Sequence, residues 1–302
     1  DATAVNSYPI RVASGKKLVI DDTANGTPGT ISAVYTTEGA VLSGHTAGLV
    51  FVESTAELVV KNGIFDASAV TNPYTPNACG AIVAGGANAK VVVEGGTIKG
   101  FKSATGYGGA IGGYTNSDIT ISGGKIYGTE ESAAGYGTAV HSFGKLTISG
   151  GEISGSVSVA TNGNVTLSGK PVISGTNGDV IIVDTGSILL GETEVATAAG
   201  KYDVLTDTEG NVNGVVAVWT DNANLPTSGT YKLGTDVTVT ARTLTPGDLT
   251  LDLNGHNITY KTDVTAVAQQ PLRVLKATKL VIDDTSNGTP GTISAVYTTE
   301  GA

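Results

Sequence analysis

Apolar and polar positions alternate along this chain in short bursts, and the bursts recur. Seven apolar or β-branched triplets stand out: Leu18-Val19-Ile20, Leu58-Val59-Val60, Val91-Val92-Val93, Ile119-Thr120-Ile121, Leu146-Thr147-Ile148, Val165-Thr166-Leu167 and Ile188-Leu189-Leu190. An eighth, Leu249-Thr250-Leu251, follows later. From the start of one triplet to the next the spacings are 40, 33, 28, 27, 19, 23 and 61 residues. Steps of 19 to 33 suit one turn of a solenoid with loops of variable length, and the longer two imply insertions.

Each triplet has apolar company at short range. An earlier apolar residue stands six positions before it in Val12/Leu18, Val52/Leu58, Val140/Leu146, Val159/Val165 and Ile182/Ile188, and nine or eight before it in Ile82/Val91 and Ile111/Ile119. A third apolar position follows its last member by five in Val60/Phe65, Val93/Ile98, Ile121/Ile126, Ile148/Ile153, Leu167/Val172 and Leu190/Val195. Between second and third positions sit Asn62-Gly63, Gly95-Gly96, Gly123-Gly124 and Gly150-Gly151. A bend there needs a residue at positive φ, which Gly and Asn adopt at little steric cost. Three short strands per turn, each beside its counterpart one turn later, predict an all-β parallel β-helix. Period-two alternation (Ile119 in, Thr120 out, Ile121 in) predicts an apolar interior and a Thr/Ser-rich outer face. Parallel crossovers favour a right-handed coil. An antiparallel sandwich has the same strand density, but hairpins do not readily produce fixed offsets of six and five.

A second, longer period overlies the first. Asn25–Ala40 (NGTPGTISAVYTTEGA) recurs unchanged as Asn287–Ala302, 262 residues on. The match extends back through Leu18-Val19-Ile20/Leu280-Val281-Ile282, Val12/Val274, Arg11/Arg273 and Pro9/Pro271 to Asp1/Asp263. The sequence therefore reads as one 262-residue unit of about eight or nine rungs, followed by the first 40 residues of the next. At ~4.8 Å per rung, such a unit rises on the order of 40 Å. Residues 1–202 are expected to form the rungs of one unit and 229–302 the opening rungs of the next. The rung pattern breaks in 203–228, which holds the only Trp, Trp219, a hairpin expected around Glu209-Gly210-Asn211, and Leu225-Pro226-Thr227. That stretch reads either as a junction between modules or as an excursion from a continuous helix.

Composition narrows the function classes. Glycine numbers 43 in 302 residues, about twice the usual ~7%, without low-complexity tracts. There is one cysteine, Cys79, so an intramolecular disulfide framework and multi-Cys metal sites are excluded; Cys79 is expected to pack as a small buried residue. No apolar run approaches the ~20 residues of a membrane-spanning helix. A net charge of −10 argues against nucleic acid as a partner, since its phosphates demand Lys and Arg. The absence of Met and a start at Asp1 suggest a mature or excised fragment, and the Thr, Ser, Gly and Asn abundance suits an exported surface protein.

The run Leu249-Thr250-Leu251-Asp252-Leu253-Asn254-Gly255-His256 and the Ile-Ser-Gly-Gly turns at Ile121–Gly124 and Ile148–Gly151 resemble the pectin-lyase-like β-helix domains of large bacterial surface proteins and adhesins. The resemblance covers nearly the whole chain. It implies the fold; its members include lyases, glycosidases, tailspikes and non-catalytic adhesins, so it leaves function open.

Candidate chemistry is sparse. Asp21-Asp22 followed by His45 is similar to the polygalacturonase pattern, where paired carboxylates act as general acid and base. The Asn-Thr-Asp and Arg-Ile-Lys motifs of that family are missing, and Asp21-Asp22 opens a turn (Asp-Asp-Thr-Ala-Asn-Gly) in which Asp and Asn cap backbone amides. No catalytic residue is assigned. The hard oxygens of Asp21, Asp22 and Asn25 could instead hold calcium, with a copy at Asp283, Asp284 and Asn287. His141 is expected to face outward, and His256 lies in a turn. Tyr107 and Tyr136 each sit in Gly-Tyr-Gly-X-Ala one rung apart, with Tyr74 and Tyr114 nearby; such tyrosines form either a stabilising ladder or a carbohydrate platform. The expectation is a non-catalytic structural or adhesive extracellular fibre on a cell surface, built from tandem units whose partners are further copies of themselves. The alternatives are a carbohydrate-binding array and a pectinase-like enzyme.

Overall fold

The computed structural model describes residues 8–23, 26–32, 48–69, 71–72, 79–100, 102–103, 108–128, 138–160, 163–175, 181–240, 247–263, 274 and 278–298. All regular structure among the described residues is β, in mostly parallel sheets of short strands. The chain divides into two compact units, Asp1–Val215 and Val216–Ala302, and the division falls within the 203–228 stretch where the rung pattern breaks.

In the N-terminal unit the chain visits three sheets in turn and returns one rung further on. The first sheet takes Ile10–Val12, Val50–Val52, Cys79–Ala84, Gly108–Gly113, Thr138–Ser142, Ser156–Val159 and Ile181–Val183, all parallel. The second takes Lys17–Ile20, Glu57–Val60, Lys90–Val93, Asp118–Ile121, Lys145–Ile148, Gly163–Leu167 and Gly186–Leu190. The third takes Thr30–Ser32, Ile64–Asp66, Thr97–Lys99, Lys125–Tyr127, Glu152–Ser154 and Val172–Ser174. This is the topology of a β-helical solenoid.

The triplets occupy the second sheet in register. Leu18, Leu58, Val91, Ile119, Leu146, Val165 and Ile188 form one column, and all from Leu58 onward are fully buried. Burying each such aliphatic side chain contributes ~1.5–3 kcal/mol. The intervening Thr120, Thr147 and Thr166 are half-buried on the other face, as alternation requires. Gly63, Gly96, Gly124 and Gly151 take φ of 101°, 80°, 84° and 87°, so the bend into the third sheet is the positive-φ turn expected. The glycine before each bend meets another constraint: a Cβ on Gly95, Gly123 or Gly150 would collide with the carbonyl oxygen of Lys61, Glu94 or Ser122 on the preceding rung.

Two offsets need correction. Six residues separate register-equivalent first- and second-sheet positions in Val12/Leu18, Val52/Leu58 and Val159/Val165. The equivalents on other rungs are Ala84, Gly113, Ser142 and Val183 instead of Ile82, Ile111, Val140 and Ile182. Ile82, Ile111 and Val140 stack with Val50, one inward position earlier, and the aligned places beside Val52 are taken by Ala84, Gly113 and Ser142. In the third sheet Phe65, Ile98, Ile126 and Ile153 align as expected, but Ile173 continues their column and Val172 is 61% exposed. Val195 belongs to Thr193–Ala196, which runs antiparallel to Gly186–Leu190, and Gly200–Thr206 likewise runs antiparallel to Ile181–Val183. The chain then reverses at Asp207–Asn211, where the Asp207 carboxylate accepts the Glu209 and Asn211 amides.

The C-terminal unit holds two parallel sheets among the described residues. One contains Gly229–Leu233, Leu249–Asp252 and Leu280–Asp283; the other contains Val237–Thr240, Ile258–Asp263 and Ile293–Thr298. Leu233, Val237, Leu249, Leu251, Leu253, Ile258 and Tyr260 form its core, with Trp219 and Tyr231 packed against them. Trp219 meets Tyr231 edge-on at 5.3 Å, and its indole nitrogen donates to the Asn224 carbonyl.

Candidate functional site

Of the four tyrosines proposed for a sugar platform, Tyr107, Tyr136 and Tyr74 lie outside the described residues. Tyr114 is half-buried at the corner between first and second sheets. Its amide donates to Ala84 and its carbonyl accepts from Ser117. Phe143 takes the same corner place one rung on, its amide donating to Gly113.

That corner was not singled out in the sequence, and it contains a groove. Three successive rungs turn through Thr55, Asn88 and Asn116, all at φ near 60°. Each turn is closed by an amide to the carbonyl three residues earlier: Ala56 to Glu53, Ala89 to Gly86 and Ser117 to Tyr114. The next rung shortens abruptly. Four residues link Gly113 to Asp118, but only Phe143 and Gly144 link Ser142 to Lys145. Gly144 permits this, because a Cβ there would strike the Ser117 backbone. The step leaves a groove of about 610 Å³, lined by Asn88, Asn116, Asp118, Phe143, Lys145, Asn164 and their neighbours. Asp118 Oδ1 is buried without a hydrogen-bond partner. A signal was present: Thr55, Asn88 and Asn116 each stand three residues before a triplet.

The acidic turn serves its own backbone. Asp22 Oδ2 accepts the Gly29 amide, and in the second copy Asp284 Oδ2 accepts the Gly291 amide. Asp284 Oδ1 also receives the amides of Ser286 (3.0 Å) and Gly255 (3.1 Å). Hydrogen bonds from the Ser286 hydroxyl and from these amides hold the Asp284 carboxyl down at about 2. Asp21 is exposed, its counterpart Asp283 accepts the Asp284 amide, and Asn25 and His45 lie outside the described residues. Among the described residues, no group of three His, Cys, Asp or Glu is disposed to hold a metal.

His141 corrects an expectation. It is completely buried, its ring edge-on to Phe143 at 4.6 Å, and burial pulls its pKa down to about 4. Its strand, Thr138–Ser142, is buried on both faces, unlike the alternating second-sheet strand Lys145–Ile148 that follows it. His256 sits 3.4 Å from Asp236 in the other unit. Cys79 opens the strand Cys79–Ala84; its side chain lies outside the described part of the molecule.

Charges follow the rungs. In second-sheet register, Lys17, Glu57, Lys90, Asp118 and Lys145 alternate in sign. Lys17–Glu57 is an ion pair at 3.1 Å, and Arg11–Glu53, Lys99–Asp66 and Lys125–Glu152 similarly bridge consecutive rungs. Each exposed pair contributes little to stability, but together they disfavour slipped pairings. No known family model, curated protein or solved structure matches this chain.

Proposed function

We propose that this protein is a non-catalytic structural element of an extracellular fibre on a cell surface, akin to the pectin-lyase-like β-helical repeats of bacterial adhesins. Tandem 262-residue units would supply length and stiffness. The observation that carries the reading is the unbroken register of the second sheet. Seven parallel strands stack with one aliphatic column inside, and the segment that begins the stack recurs 262 residues later. A rigid unit repeated at near identity serves extension or multivalency better than a single chemical step does. Electron microscopy of the native material tests it: thin filaments with a regular axial repeat are expected, and discrete particles of about one unit's mass would refute it.

The corner groove favours a second reading, carbohydrate binding. Asparagine amides, the unpaired Asp118 oxygen and the Phe143 ring are the donors, acceptors and apolar face that a sugar requires. Glycan-array binding abolished by Asn116→Ala and Phe143→Ala would support this reading.

A further inference from the structure

We infer that the repeated segment is a joint, and that a following copy of the unit in the same polypeptide continues the second and third sheets across it in unbroken register. The inference rests on the tandem reading above and specifies the contact that reading requires.

The segment occurs twice, and its two copies have different neighbours. Lys17–Ile20 pairs with Glu57–Val60 (Leu18 beside Leu58, Ile20 beside Val60), and Thr30–Ser32 pairs with Ile64–Asp66 (Ile31 beside Phe65). In the later copy, Leu280 lies beside Leu249, Ile282 beside Leu251 and Ile293 beside Ile258. A strand has two edges, and successive carbonyls point to opposite ones. The carbonyls of Lys16 and Ile20 accept the Glu57 and Lys61 amides. The carbonyls of Lys279 and Asp283, which correspond to Lys17 and Asp21, accept the Leu249 and Leu253 amides. The third sheet behaves alike: the Gly29 carbonyl accepts from Ile64, whereas that of Thr292, the counterpart of Thr30, accepts from Ile258. The two sets of neighbours therefore use opposite edges of one sequence and can be present together.

Side chains agree with the composite. Its inner columns read Leu249, Leu280, Leu58 and Leu251, Ile282, Val60 in the second sheet, and Ile258, Ile293, Phe65 in the third. Asp248, Lys279, Glu57, Lys90, Asp118 and Lys145 alternate in charge across the joint, and Lys17, the counterpart of Lys279, already binds Glu57. Exposure marks what each copy lacks. Val19 is 46% exposed where Val59, flanked on both edges, is 5%; Ile282 and Ile293 are 38% and 47% exposed where Leu251 and Ile258 are 2% and 4%.

The test is the full chain extended after Ala302 by a second copy of residues 41–302, carrying Val281→Cys and, in the second copy, Val59→Cys. Parallel neighbours stand within disulfide reach. Mild oxidation read by peptide mass spectrometry is expected to yield this disulfide as efficiently as the Val19→Cys/Val59→Cys pair within the first copy. A partner two residues out of register, second-copy Lys61→Cys, stays at background. Formation of the internal pair without the joint pair would overturn the inference. Hydrogen exchange on the unsubstituted two-unit chain gives a second measure: at least tenfold slowing across 280–283 and 293–296 relative to the single chain is expected, and unchanged rates refute the joint. Native filaments together with no joint disulfide in the substituted two-unit chain remove the joint alone, whereas that disulfide together with native discrete particles removes only the fibre.

Discussion

Asp284 and Gly291, seven residues apart, are tied together: the carboxylate accepts the glycine amide at 2.5 Å, and Asp22 and Gly29 repeat the contact in the first copy. The tie turns a loop without regular structure into a fixed feature of the rung. It also gives the second aspartate of each Asp-Asp pair a structural role in its own turn.

Replacing Asp284 by Ala should therefore destabilise the C-terminal unit more than Asp283→Ala, because only Asp284 holds three backbone amides. Its pKa is depressed, so its contribution is present above the ordinary carboxylate value of 3.8 and disappears as pH falls toward 2. Thermal melts of the two variants between pH 7 and 2 check this; the gap between them should narrow at the acid end. Added calcium should not shift the melting temperature of the unsubstituted chain.

His141 makes a different pH prediction. The buried imidazole stays neutral until about pH 4, while in the unfolded chain it takes up a proton near 6.5. Stability is thus fully present above pH 6.5 and declines as pH falls from 6.5 to 4, by roughly 3 kcal/mol at most. Urea unfolding across this range should show the decline, and His141→Phe or His141→Gln should flatten it even if either lowers stability at pH 7.

Interior and exterior positions of one strand should separate sharply. Leu146→Ala and Ile148→Ala remove fully buried side chains and are expected to cost ~2–5 kcal/mol. Thr147→Ala, on the half-buried outer face between them, should stay within about 1 kcal/mol. Chemical denaturation of the three variants measures the contrast.

At the corner, Asn116 at φ 62° pays for a left-handed backbone with an amide side chain. Asn116→Gly should retain stability and Asn116→Val should lose ~1–2 kcal/mol, since a β-branched residue is strained there. If the groove binds sugar, Asn116→Gly loses the binding while the fold persists, which calorimetry against a glycan hit would separate.

The second sheet was the most legible element because it is the most regular. Its triplets carry the inward-outward alternation in their own residue types, and the diglycine bends after them admit few substitutes. The first sheet was harder to read. Where Ala84, Gly113 and Ser142 occupy the inward places, no apolar period marks them, and the eye moves to Ile82, Ile111 and Val140 instead. Val172 failed for the same reason: an apolar residue at the expected spacing faces solvent, and Ile173 beside it is the one in the column. His141 was misplaced because alternation identifies a side of the strand but says nothing of what covers that side.

By itself, the sequence determined the solenoid and its long repeat, since both are periodicities of the chain that local residue preference enforces. It also marked most of the turns, where Gly and Asn take up the positive-φ backbone at least cost. Tertiary structure decided everything that depends on contact between rungs: which residues share a column, how a shortened corner opens a groove beside Asn116, and where the carbonyls of Asp283 and Ile20 point. Those carbonyls give the repeat its meaning. An identical segment accepts one neighbour on each edge, and that division follows from the alternation of peptide groups along a strand, which no pattern of side chains records.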